Sequence, residues 1–376
     1  MHGRPYAFTV LLAAATGATA VVVALLVGLP LRDPDGVAGP SYVRLPLILG
    51  IFFLADVLPR VVRRIRSPRQ VWPALRTVTT ERWPWSRLKI VLLGLGSFYV
   101  TYVGYRNLKS YLPFVREDRV DDWLSIADSI LFLGQDPAVV LHTVLGTGLA
   151  AHVLSFVYIS YLLLVPVSLA AALLWNRNIA LGFWYVTALN LNWVVGAASY
   201  YLLPALGPVY SETESHNFDE LPETGVSLLQ QSLWGSRLTV LFDPWATSSV
   251  HGVAAFASLH VSVVFTAAYF AYKVKLHKSL RIVLWTYLGL TILATIYFGW
   301  HYVIDDIAGI GIGWLAVTLG ARVTGHDRYG RHRATVTDSS SDDADGAGSA
   351  GDPVDAPPLP QQNRVSELDS GARSHR

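Results

Sequence analysis

The chain has no cysteine, a single methionine and few charged residues, 15% of the total against 52% hydrophobic. Without cysteine there can be no disulfide, no thiolate metal site and no thiol nucleophile. So low a charged fraction, with a positive mean hydropathy, excludes an ordinary soluble domain. A formal net charge of +2 offers no excess of either sign to recruit nucleic acid. There is no HExxH motif and no second close histidine pair, although histidine and aspartate remain competent zinc ligands as residue types.

What the sequence has instead is apolar length. About 20 apolar helical residues cross a hydrocarbon core about 30 Å thick. Eight such runs occur, at about 8–29, 42–58, 88–105, 150–175, 179–203, 253–273, 281–300 and 302–321. They predict an all-α, polytopic integral membrane bundle. The first run has a weak basic start in His2 and Arg4, is longer than a signal-peptide core and has no small-residue cleavage site before Pro30. It reads as a retained span.

Charge sets the expected orientation. Between residues 60 and 89 lie Arg60, Arg63, Arg64, Arg66, Arg69, Arg76, Arg82, Arg87 and Lys89 against the single acid Glu81, which marks a cytoplasmic loop by the positive-inside rule. Alternation then puts Arg177, the turn from Lys273 to Arg281 and the cluster from Arg322 to Arg333 inside as well, with both termini cytoplasmic. Residues 106–149 and 204–252 fall outside, the second carrying Glu212, Glu214, Asp219, Glu220, Glu223 and Asp243 among several prolines, as an irregular outer cap would. Asp56 reads as interfacial, and Gly94, Gly96, Gly309, Gly311 and Gly313 as sites of close helix packing. The 12 Trp and 18 Tyr, many near span ends, read as aromatic belts. Past about residue 334 the composition turns to Asp, Ser, Gly, Ala and Pro, too poor in apolar residues to fold. The expected domains are 1–105, N-terminal spans with the basic loop; 106–322, a catalytic membrane domain; and 323–376, a disordered cytoplasmic tail.

Three ionisable residues mark the outer ends of expected spans: His260 in FASLHVS, and His301 with Asp305 in YFGWHYVIDD. An i, i+4 pair shares one helix face, so the Asp305 carboxylate can accept from one ring nitrogen of His301 and leave the other to attack phosphorus. His260, starting the preceding span, can act as acid and then base. Ser258, two residues earlier, can hold phosphate oxygens at the helix start. His142, His152, His216, His251 and His277 read as structural or interfacial hydrogen-bonders. Ionisable groups inside a membrane mark function, which also leaves open a non-catalytic transporter that binds an anion or relays protons.

These residues resemble the type 2 phosphatidic acid phosphatase superfamily, and within it the inositolphosphorylceramide synthase-like branch, over roughly residues 100–315. Ser258-Leu259-His260 is similar to the superfamily's Ser-x-His motif, its central leucine to that of the synthase branch. His301 to Asp305, followed by Gly309, is similar to its His-x-x-x-Asp motif. YLLPALGP at 201–208 and DSILFLGQDP at 128–137 also look like that branch. The resemblance implies a His301 nucleophile, Asp305 as its partner and His260 as acid and base, with no metal and no cofactor. Its activity would be phosphoryl-headgroup transfer or hydrolysis on a lipid phosphoester. The Ser-Arg pair that precedes the second histidine in the phosphatases is Ala294 and Thr295 here, and Ala257 replaces a proline. Phosphate-binding cations would then come from the segment YRNLKSYLPFVRE, where Lys109 and Arg116 reproduce the superfamily's Lys-x6-Arg spacing and Arg106 is an equal candidate.

Overall fold

A computed structural model describes residues 6–34, 41–176, 178–247 and 250–326. The expected tail and Arg177 lie outside these residues, apart from the tail's first four positions. The described chain is helical, with no strand. Its helices are α1 (Ala7–Val27), α2 (Ser41–Val62), α3 (Val71–Arg82), α4 (Trp85–Val115), α5 (Asp121–Leu131), α6 (Pro137–Leu145), α7 (Leu149–Ala170), α8 (Ile179–Leu202), α9 (Gly225–Phe242), α10 (Leu259–Lys273), α11 (Lys278–Tyr297) and α12 (Val303–Val323). Seven of them, α1, α2, α4, α7, α8, α11 and α12, are long and apolar enough to cross a membrane.

Helix α8 is the hub. Every residue from Gly182 to Trp193 is buried, Thr187, Asn190 and Asn192 among them, as expected for a helix enclosed by others. It packs against α4, α10 and α12. Helices α1 and α2 are outer members that turn leucines outward, Leu25 and Leu26 being 78% and 80% exposed. In water such a surface would be a liability, and hydrocarbon is its natural solvent.

The sixth expected span is shorter than its apolar run. Ser258 caps the first turn of α10, its side chain accepting from the Val261 N–H, so the helix begins at Leu259 and residues 253–257 are not helical. Fifteen helical residues reach about 22 Å. Backbone left irregular at this depth must be satisfied by protein, and it is. Ala255 N–H donates to the Ala205 carbonyl (2.8 Å), Ala257 N–H to Ser199 Oγ (3.0 Å) and Ser258 N–H to the Asp305 carbonyl (3.0 Å).

Helix α4 differs in the other direction, running on to Val115, because nothing between residues 105 and 115 breaks it and Pro113 falls in its last turn. Arg106 and Lys109 therefore sit on a helix rather than in a loop. Asp56 turns inward rather than to solvent: its carboxylate is buried, held by Arg60 (2.6 Å), Arg82 (3.3 Å) and the Trp83 indole N–H (3.1 Å). This clasp joins α2 to the end of α3, just ahead of α4 and at the opposite end of α4 from Lys109.

Two of the five helix glycines differ from expectation. Nothing lies within 4 Å of a Cβ placed at Gly96 or Gly311, whereas at Gly309 it would meet the Ser258 carbonyl oxygen at 2.4 Å. A backbone atom cannot rotate away. Gly309→Ala is expected to cost about 1–3 kcal/mol and to lower the melting temperature in detergent, while Gly96→Ala leaves it unchanged. Equal melting of the two variants would contradict the packing described.

Candidate active site

The outer elements of the site are fastened by main-chain groups. Asp121, at the start of α5, accepts from the Leu206 and Gly207 N–H groups (both 2.9 Å to Oδ1). Gly207 has φ 98° and lies against the Trp300 carbonyl, and Val209 N–H donates to the Gly299 carbonyl (2.9 Å). The stretch YLLPALGP thus ties α5, the segment before α10 and the turn before α12 together. DSILFLGQDP does similar work: Asp128 Oδ2 accepts from Val303 N–H (2.8 Å), the first residue of α12, and Asp136 caps α6.

His301 is not on a helix. Tyr302 is the N-cap of α12 and Asp305 its third residue, so His301 stands just ahead of the cap. The capping interaction brings the pair together: Asp305 Oδ2 accepts from Tyr302 N–H (3.0 Å) and lies 3.4 Å from His301 Nδ1. That contact falls short of hydrogen-bond geometry, leaving His301 Nδ1 and Asp305 Oδ1 buried and unpartnered. An orphaned buried acceptor costs about 1–3 kcal/mol, and such groups in a native fold call for a reason. The ring's other polar neighbour is the Ala255 backbone; burial, and next the charge of Lys109, push the His301 pKa down to about 3. The imidazole is therefore neutral at physiological pH.

His260 lies in the first turn of α10, held between aromatic rings. Tyr158 stacks on it at 4.5 Å and Tyr161 packs at 4.4 Å. Trp300 stacks on the far face of Tyr158 at 5.3 Å, and Tyr210 follows Trp300 at 6.1 Å. The centroids of the His260 and His301 rings are 6.1 Å apart. The aromatic-belt reading misses these side chains, which fix one histidine of the pair.

Two further acidic groups escape the sequence reading. Asp306, buried, accepts from the Thr295 hydroxyl (2.8 Å) and from the Ser258 side chain. Thr295, at the position where the resembling phosphatases carry arginine, thus answers a carboxylate. Ser258 faces Asp306 and caps α10, so it is already engaged at the junction of the two histidine motifs. Asp128 is the other group, and its DS spelling alone carries no signal of its partner on α12.

Of the three candidate cations, Lys109 is buried, its amine donating to the Ala254 carbonyl (3.4 Å) and lying 4.7 Å from the Tyr200 ring centroid. Its charge acts on both His260 and His301. Arg106 is half-buried over Tyr102, 6.0 Å from the ring centroid. Arg116 engages Asp118 (2.8 and 2.6 Å) and the Tyr201 carbonyl (2.6 Å) at the surface, and none of its described contacts is with the histidines. Among the described residues no three His, Asp or Glu side chains converge as metal ligands would.

Asp128 supplies a test of the frame. Burial, opposed by the Val303 N–H, pushes its carboxyl up to about 6, above the ordinary value of about 3.9. Between those values the folded protein holds more protons than the unfolded chain, so this group's contribution to stability falls as pH rises through the window. Asp128→Asn keeps an oxygen for Val303 N–H and has no proton to lose. Its melting temperature is expected to match or exceed the parent's at pH 7.5, with a shallower dependence between pH 4.5 and 7. An unchanged slope would refute the assignment.

No curated protein and no solved structure matches the chain. The PAP2 superfamily pattern matches residues 122–319. The matched segment runs from the first turn of α5 through most of α12 and takes in Ser258, His260, His301 and Asp305, while Arg106, Lys109 and Arg116 lie upstream of it. Covering more than half the chain and both histidine motifs, the match makes this protein a member of the PAP2 superfamily.

Proposed function

We propose that the protein is a membrane-embedded lipid phosphotransferase that works through a phosphohistidine on His301 and moves a phosphoryl headgroup, such as inositol phosphate, from one lipid to another acceptor at the extracytoplasmic face. The observation that carries this reading is the neutral, buried His301 beside the Asp305 carboxylate, facing His260 across 6.1 Å. As substrate displaces the Ala255 carbonyl, the proton that the His301 nitrogen away from Asp305 gives that carbonyl in the resting site shifts to Nδ1, which then donates to Asp305, and the freed nitrogen attacks phosphorus. The bond from phosphorus to the leaving oxygen breaks as His260, which takes up a proton from solvent when the anionic substrate binds, gives that proton to the leaving oxygen. Asp305 offsets the positive charge that develops on the His301 ring. An acceptor hydroxyl then gives its proton to His260 and attacks phosphorus, which restores His301. Lys109 supplies charge for the phosphoryl oxygens.

Water as acceptor turns the same cycle into a lipid phosphatase, with every residue in the same role. The enclosure of His301 and Asp305, both buried, favours transfer, since a dry site limits competing hydrolysis. The extracytoplasmic placement rests on the basic loop of residues 60–89 lying at the opposite end of α4 from Lys109. The test is headgroup or phosphate release by purified protein in lipid, on phosphatidylinositol, phosphatidic acid and polyprenyl diphosphate, with chelator present and with His301→Ala alongside. Chelator-insensitive turnover lost in the variant is expected. Turnover equal in variant and parent would sink the proposal, and release of free phosphate with no acceptor product would select the phosphatase.

A further inference from the structure

Seven residues before Ser258 stands a second buried histidine that the cycle above does not use. His251 has no exposed surface. Its backbone N–H donates to Ser110 Oγ on α4 (3.3 Å), and its Nδ1 accepts from the Val253 N–H (3.2 Å). A nitrogen that accepts from a backbone N–H carries no proton, so in the neutral ring the hydrogen is on Nε2. Burial, and next the charges of Arg237, Lys109 and Arg106, push the His251 pKa well below its ordinary value, which keeps the ring neutral and that tautomer in place. His251 Nε2 is nonetheless a buried donor with no partner.

A second orphan lies on Arg106, whose charge acts on His251. Arg106 Nε is also buried and unpartnered, and its Nη2 lies 3.7 Å from the Cβ position at Gly252, the residue after His251. The surrounding charge is only partly compensated: among the described residues Arg106, Lys109 and Arg237 form no ion pair within 4.0 Å, and Arg237 feels the carboxylate of Asp121. Arg237 is half-buried on α9, its guanidinium 5.9 Å from the Trp234 ring centroid. Two buried N–H donors left open among three cations describe a place for an anion. Lys109 connects it to the catalytic pair, because its charge acts on His251, His260 and His301 alike. A single phosphodiester would leave most of this charge unmatched, whereas a further phosphoryl group brings roughly −1.5 to −2 more.

We infer that His251 and Arg106, with Arg237 and Lys109 around them, form an anion subsite that holds a second phosphoryl group of the substrate next to the one attacked by His301. The inference deepens the proposed function and rests on it for the position of the scissile group. The second group is either the other half of a diphosphate or a phosphate carried on the headgroup. The His251 Nε2–H and the Arg106 Nε–H donate to its oxygens, which removes both orphans at once.

Binding can be read without turnover. Inorganic pyrophosphate and orthophosphate are titrated calorimetrically into the purified full chain in nanodiscs, as parent, His251→Phe, His251→Gln and Arg106→Gln. Pyrophosphate, spanning both positions, is expected to bind the parent about tenfold or more tighter than orthophosphate, the order of one hydrogen bond to a charged group. The preference should collapse in His251→Phe and Arg106→Gln and survive largely in His251→Gln, whose amide can present a donor near the Nε2 position. If His251→Phe does not fold, Arg106→Gln carries the test. No preference in the parent, or a preference unchanged in both His251→Phe and Arg106→Gln, overturns the subsite. Turnover of a polyprenyl diphosphate and of a phosphatidylinositol phosphate separates the two sources: the one slowed more by Arg106→Gln carries the second group. A pyrophosphate preference with no turnover of any lipid would refute the phosphotransferase reading and leave the subsite standing.

Discussion

His301→Ala is expected to lower kcat by about 10⁴-fold or more, the scale on which loss of a covalent nucleophile is felt, with folding intact. The residue stands in the turn between α11 and α12, outside any helix ladder, and its ring makes no hydrogen bond to another side chain. Its removal therefore breaks chemistry rather than frame. The sharper readout is the covalent intermediate. Parent protein quenched during turnover of a phosphate-labelled lipid should retain label that is lost in acid and kept in base, as a phosphorus–nitrogen bond behaves. His301→Ala should retain none. His260→Ala should label slowly and release slowly, because the same ring serves both half-reactions. Label retained by His301→Ala would place the nucleophile elsewhere and remove the central assignment.

Much of the bundle could be read from the sequence because apolar length is local information. A run such as 179–203 declares its own fate, and α8 follows it to within a residue. The sixth run shows where that logic stops. Residues 253–257 are as apolar as the helix that follows, yet their backbone is claimed by Ala205 and Ser199, partners more than fifty residues away in the case of Ser199. Hydropathy carries no trace of such bonds. The same holds for Arg106 and Lys109, where composition marks the end of a span and the helix simply continues.

The candidate site was legible to the extent that its residues come in short motifs. Ser258, His260, His301 and Asp305 are named by spacing, although the spacing of the last pair suggests a shared helix face and the structure uses a helix cap instead. The supporting acids were not legible. Asp121, Asp128 and Asp306 act through the main chain at Gly207, through the main chain at Val303 and through the Thr295 hydroxyl. None of these partnerships has a spacing, since each joins a different pair of elements. Thr295 shows the cost of reading a motif by its missing letter: the position lacks the arginine, and the hydroxyl there is bonded to a carboxylate that the motif does not include.

Asp305→Asn is the second large effect, and its size distinguishes an acid that orients and balances a histidine from one that only caps a helix. Asp305 does both. Oδ2 accepts from the Tyr302 N–H at 3.0 Å, and an asparagine oxygen can take over that bond, so α12 should keep its first turn and the melting temperature should change little. The charge beside His301 is what disappears. An imidazole that loses its carboxylate partner loses both its preferred tautomer and the compensation for the positive ring formed on attack, an effect of about 10³–10⁴-fold in kcat where a histidine is held this way. The loss should fall on kcat with KM nearly constant, because in the proposed cycle Asp305 acts through His301 rather than on the lipid. Phosphohistidine should still form in Asp305→Asn, at a rate reduced in proportion. A variant that melts well below the parent and turns over normally once folded would make Asp305 a cap alone, and the buried, unpartnered Oδ1 would then have no chemical role.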